Sequence, residues 1–224
     1  MQPIEEHINR LKQFEPNLKI INTMPKLSNE EIFIQHVKDE CKKHGIKCSL
    51  RNTKFVALGK GTKCSGYFDS ANKILVCSMN RPDAIEILVH EYCHLTQWVE
   101  NIAIWRICDD MNTFQLMDEW LQGNEVKNIN KIISYSRDLE LDNEKRSVEM
   151  CKRFNLNVDL VHYVKKANSY IYFYNWMKES RKWCKPLNSP YKNVKLIEAM
   201  PTHFDNNYNI LPAKLRAIYK SENI

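Results

Sequence analysis

Apolar positions along this chain change period several times, and each change marks a different kind of element. Near the amino terminus Ile4, Ile8 and Leu11 recur at helical spacing until Pro16 and Pro25 interrupt them, so residues 1–27 read as an irregular approach segment. Ser28 followed by Glu31 has capping-box spacing, Ile34, Val37 and Cys41 form an apolar stripe, and Gly45 is placed to close a helix. From Ile46 to Ser78 the pattern shortens to IKCSL, KFVAL, CSGYF and KILVCS, divided by Asn, Gly, Asp and Ser. That predicts a sheet of about three or four short strands, with a hairpin turning at Asp69-Ser70-Ala71-Asn72.

Helical spacing then returns. A helix is expected to begin between Asn80 and Asp83, where Pro82 suits a first turn and Asp83 the positive end of the helix dipole. Ile85, Leu88, Tyr92, Leu95 and Val99 make one apolar side, while Ile87, His90, Glu91, His94 and Gln97 lie towards the other. Further helices are expected at 111–122, 129–154 and 158–184, with a break at Gly123-Asn124 and a Pro-containing tail from Pro186. The fold class is therefore α+β: a small, mostly antiparallel sheet packed on one central helix, with a large helical C-terminal part.

Composition adds limits more than direction. With 43% hydrophobic and 27% charged residues in 224, the chain matches ordinary globular proteins. No stretch reaches the roughly 20 apolar residues of a spanning helix, and the start MQPIEEHINR lacks a secretory layout, so a cytoplasmic protein is expected. Eight cysteines without a CxxC pair read as reduced thiols. The net charge of +6 would help approach to a nucleic acid, but the basic residues are dispersed. Their richest run, Lys178–Lys185, reads as a solvated helix face.

The chemistry concentrates in His90-Glu91-Tyr92-Cys93-His94. Two imidazoles four positions apart stand one turn apart on the same helix face, where they can hold one metal ion. Neutral imidazole nitrogen suits zinc (Zn2+), and a catalytic site adds a third protein ligand and an open position for water. Glu91 is then placed to act as general base. By chance such a motif arises on the order of once in a hundred chains of this kind. The third ligand is sought in the acidic helical segment Asp138–Arg146: Glu140, with Glu144 as the alternative. One turn separates the two, so one can reach the metal while the other accepts the free N–H of a ligand histidine. Cys93, inside the motif, reads as a packing residue.

HEYCH followed by Glu140-Leu141-Asp142-Asn143-Glu144 resembles the gluzincin metallopeptidases, and the short sheet ahead of the motif helix is similar to their compact members, the minigluzincins. The resemblance covers roughly residues 46–155. It implies His90 and His94 as zinc ligands, Glu140 as third ligand and Glu91 as general base of peptide-bond hydrolysis. Its departures are a long helical insertion between His94 and Glu140, and Asn143-Glu144 where such patterns often carry a small residue followed by Asp or Asn. One zincin-like domain, 1–224, is expected: an N-terminal helical segment (1–45), a sheet and metal-site core (46–155) and a helical extension (156–224).

The expected partner is a peptide or protein substrate, bound by strand addition along Ile74–Cys77. An oxyanion donor is sought among His162, Tyr172, Tyr174 and His203. The aromatic run Tyr170–Trp176 reads chiefly as core packing. The alternative to an enzyme is a non-catalytic zinc-binding regulatory or nucleic-acid-associated module on the same fold, which would hold metal without Glu91-dependent turnover. Oligomeric state leaves no mark on the sequence.

Overall fold

Ser28 caps the first helix as its spacing predicts: its side chain accepts from Glu31 N at 3.2 Å, and the Glu31 carboxylate accepts from Ser28 N at 2.8 Å. The computed structural model describes residues 27–58, 62–185 and 188–224; the apolar repeat at Ile4, Ile8 and Leu11, with Pro16, Pro25 and Pro186, lies outside the described residues. Helix α1 (Asn29–Lys43) buries Phe33, Val37 and Cys41, with Ile34 at the margin. It closes at Gly45, where φ is 67° and Ile46 N donates back to Cys41 O.

Five short strands follow: β1 (Lys47–Arg51), β2 (Val56–Leu58), β3 (Thr62–Cys64), β4 (Gly66–Asp69) and β5 (Ile74–Ser78). They form a three-stranded sheet in the order β1-β5-β4 and a separate β2-β3 ribbon. The expected hairpin is β4-β5, antiparallel, with Asp69 accepting from Asn72 N at 2.9 Å across its turn. β1 pairs with β5 in parallel, from Lys47 opposite Ile74 to Arg51 opposite Ser78, so the sheet is mixed. β5 therefore has a partner along both edges, and Leu75, Val76 and Cys77 are buried. This corrects the expected substrate edge. Ile74–Cys77 has no backbone groups left to pair with an added strand, whereas β4 pairs only with β5 among the described residues.

Helix α2 (Ala84–Val99) starts at the C-terminal limit of the expected range, with Asp83 as N-cap; the Asp83 carboxylate is taken by Arg81 Nε and Nη2 at 2.6 and 2.8 Å and makes no cap bond. Leu88, Tyr92 and Leu95 pack with α1 and β5, as the spacing predicts. The other side is buried too, at Val89, Cys93 and Gln97, because α5 packs there.

The expected helix at 111–122 is α4 (Thr113–Leu121); a further helix, α3 (Ala103–Asp110), precedes it, parted from it by Asn112 at φ 50°. α5 (Ile129–Arg153) and α6 (Leu160–Ser180) follow, the latter closed by Arg181 at φ 53°. The tail is more ordered than its prolines suggest: a 3-10 turn at Pro190–Lys192, then α7 (Val194–Glu198) and α8 (Ala213–Ser221), which bury Leu196, Leu215 and Tyr219. Tyr172, Phe173 and Tyr174 lie in this same core, as a packing role requires.

The architecture is α+β, with eight α-helices among the described residues. Two large apolar clusters divide it, with a small third between α5 and α6 around Val148 and Val164. Of the large two, one joins α1, the sheet and α2; the other joins α4 to α8. α5 belongs to both, giving Ile132 and Ile133 to the second and Cys151 to the first, so its polar middle, Glu140 to Glu144, falls at the seam. Among the described residues no helix is long and apolar enough to cross a membrane.

Candidate metal centre

Packing of α2 against α5 brings the two halves of the candidate site together. His90 and His94 stand one turn apart with ring centroids separated by 4.8 Å. Across the seam, Glu140 Oε2 lies 3.7 Å from His90 Nε2 and 3.7 Å from His94 Nε2. One ligand atom from each residue falls within 4.8 Å of the others, close enough to hold a metal ion. Tetrahedral bonds of about 2.0–2.1 Å would set ligand atoms about 3.3 Å apart, a little inside the 3.7 Å between Glu140 Oε2 and each imidazole Nε2.

The donors also fit a cation chemically. Glu140 Oε2 is buried and has no hydrogen-bond partner. A carboxylate oxygen stranded in this way costs free energy that a cation between it and the imidazoles would offset. Glu144, the alternative ligand, stands elsewhere: its Oε1 lies 3.3 Å from His90 Nδ1, on the far side of the ring. Geometry thus gathers Glu140, the expected ligand, rather than the alternative Glu144, with the two imidazole Nε2 atoms.

Each histidine is held from behind at Nδ1. For His90 the support is Glu144, which also accepts from Tyr163 OH at 2.6 Å and Tyr191 OH at 3.0 Å; the Asn143 amide lies 3.1 Å from the same ring nitrogen. For His94 the support is Gln97 Oε1, 2.9 Å away. Gln97 Nε2 in turn donates to Leu139 O and Asp142 Oδ2, at 3.0 and 2.8 Å.

Electrostatics follow from burial at the seam. Burial alone would disfavour a charged His90, but the Glu144, Glu91 and Glu140 carboxylates outweigh it and push its pKa up to about 10. Burial pushes the Glu144 carboxyl up, yet His90 and the two phenols more than offset this and hold it below the usual range. Burial raises Glu91, with His90 and His94 opposing. Three carboxylates around two imidazoles form a pocket that favours positive charge.

Glu91 is only 9% exposed and lies on a cleft of about 360 Å³ with His90, Glu144, Tyr163, Tyr191 and Gly66. Gly66 opens β4 hard against α2: a Cβ there would sit 3.0 Å from Glu91 Cγ, Ile87 Cγ2 and Val76 O, so a side chain would displace Glu91. The expected oxyanion donors are not gathered at this cleft. His162 and His203 are exposed, Tyr172 bonds Asp205, and Tyr174 is fully buried with its hydroxyl 3.3 Å from that of Tyr170. Helix α6 turns His162 to solvent and the two tyrosines to the core, and His203 lies in the connection between α7 and α8. Tyr163 and Tyr191 are the phenols that reach the cleft, and no local spacing signals them, since they lie 19 and 47 residues from Glu144.

No protein-family model, curated protein or solved structure matches this chain.

Proposed function

We propose that this chain is a zinc-dependent metallopeptidase of gluzincin type. The observation that carries the reading is the orphaned, buried Glu140 Oε2 facing two imidazole nitrogens at 3.7 Å, beside a buried Glu91 that opens on a cleft. His90 Nε2, His94 Nε2 and Glu140 Oε2 would hold the ion; bound there, zinc supplies a Lewis acid that acidifies a water molecule and polarises a scissile carbonyl.

The chain's own residues do the rest. Glu91 belongs to neither the ligand group nor its supports, and its carboxyl, raised by burial, can take a proton from water and release it to a leaving amine. Gly66 keeps the space beside that carboxyl clear. β4 offers an edge that is unpaired among the described residues next to the cleft, where an extended peptide could add by backbone hydrogen bonds. A peptide suits the cleft better than a nucleic acid, because two of its basic side chains, Arg81 and Lys166, are already paired with Asp83 and Glu86.

Glu91→Gln separates this reading from a module that merely holds metal. The variant should bind zinc as the parent does and lose peptide hydrolysis by at least about 100-fold. Turnover equal to the parent's would remove Glu91 from the chemistry.

A further inference from the structure

We infer that Gln97 is the positioning residue that sets the ring tautomer of His94, and that Asp142 and the Leu139 carbonyl hold Gln97 in that role. The inference rests on the metal centre proposed above and adds a part that neither the HExxH pattern nor the acidic segment signals. Gln97 is completely buried, and its amide meets three groups: Leu139 O, Asp142 Oδ2 and His94 Nδ1.

An amide can face either way, and here its neighbours choose. A carbonyl oxygen and a carboxylate both accept, so the end that faces Leu139 O at 3.0 Å and Asp142 at 2.8 Å is the NH2 group. The end 2.9 Å from His94 is then the oxygen, which accepts a hydrogen bond from Nδ1–H. With the proton on Nδ1, the lone pair of His94 is on Nε2, the atom that faces Glu140 Oε2 at 3.7 Å. Two acceptors on α5 thus impose on a histidine of α2 the tautomer that a metal ligand needs.

The outer acceptor is itself tied. Asp142 Oδ2 accepts from Arg146 Nε at 2.6 Å, and Arg146 Nη1 donates to Glu100 Oε2 at 2.7 Å, beside the C-terminal end of α2. The path from solvent to the centre runs Glu100, Arg146, Asp142, Gln97, His94. Orientation passes along it while the atom in contact with the imidazole stays neutral.

Zinc affinity, read by competition with a chelating dye, tests this without recourse to turnover. Gln97→Met fills the same space with no acceptor and should bind zinc about 10- to 100-fold more weakly than the parent while melting as one cooperative unit. Gln97→Glu combined with Asp142→Asn restores an acceptor for His94 and a donor to hold it, and should bind zinc more tightly than Gln97→Met yet short of the parent, because its carboxylate adds buried charge and meets the Leu139 carbonyl. If Gln97→Met does not fold, Asp142→Ala, at a side chain 39% exposed, should weaken zinc by about three- to tenfold. Parent-like affinity in Gln97→Met or in Asp142→Ala, or equal weakening in Gln97→Met and the double variant, overturns the assignment and leaves Gln97 a packing residue. A parent that takes up no zinc overturns the centre and the relay together.

Discussion

His90 and His94 stand one turn apart on one helix, yet they are supported in opposite ways. Behind His90 is a buried carboxylate, 2% exposed at the side chain, that collects the imidazole and two phenols. Behind His94 is a neutral amide, and the charges that orient it lie further out, at Asp142, Arg146 and Glu100, with side chains 39%, 26% and 53% exposed. The difference is physically sensible. Glu140, Glu144 and Glu91 already bring three carboxylates to the seam, and a fourth in direct contact would raise the cost of burying like charge beyond what one dication offsets. The amide delivers orientation without adding charge, so the His90 side should govern stability and the His94 side mainly metal affinity.

The largest expected effect is on the His90 side. Glu144→Leu removes the shared acceptor of His90, Tyr163 and Tyr191 and strips its partner from one buried and two half-buried donors, which should cost about 3–5 kcal/mol in denaturant unfolding. A loss below about 1 kcal/mol would erase the contrast between the two supports.

Acidity sharpens the same contrast. In the metal-free protein His90 is raised from 6.5 to about 10, so its stabilising effect is complete below pH 6.5 and is lost as pH climbs towards about 10. Glu144 is held below its ordinary 4.5, so its effect is complete above that value and is lost on further acidification. Metal-free protein should therefore melt highest between about pH 5 and 6.5 and lose stability towards pH 10, a fall that zinc, displacing the His90 proton, should suppress. Identical pH profiles with and without zinc would contradict the His90 assignment.

Arg146→Met should be the mildest change, because it opens a partly exposed network. A loss of at most about 1 kcal/mol, shrinking with added salt, is expected in thermal melts. A salt-independent loss of several kcal/mol would place real stability on the His94 side.

Much of this was legible in the sequence where the signal is local. The capping box at Ser28 and Glu31, the β4-β5 hairpin and the HEYCH spacing each involve residues a few positions apart, and each appears in the structure as read. Gln97 could be placed on the histidine side of α2 by the same periodicity. Its partner Asp142, 45 residues on, could not, and neither could Tyr163 and Tyr191 behind Glu144. The parallel pairing of β1 with β5 is likewise a long-range choice, and missing it misassigned the free edge to the buried central strand. Glu140 was the expected ligand from the acidic segment, but the separate place of Glu144 follows from the α2-α5 packing, which turns one carboxylate to Nε2 and the other to Nδ1. In the tail, the prolines concealed helices too short to show much periodicity, α7 above all at five residues.

The most direct test of the account is the metal content of protein purified without added metal, measured for the parent and for Glu140→Ala. The account predicts about one zinc per chain in the parent and none in a variant that stays folded. A parent without zinc that takes up none on titration, or a Glu140→Ala variant that holds as much as the parent, would contradict it.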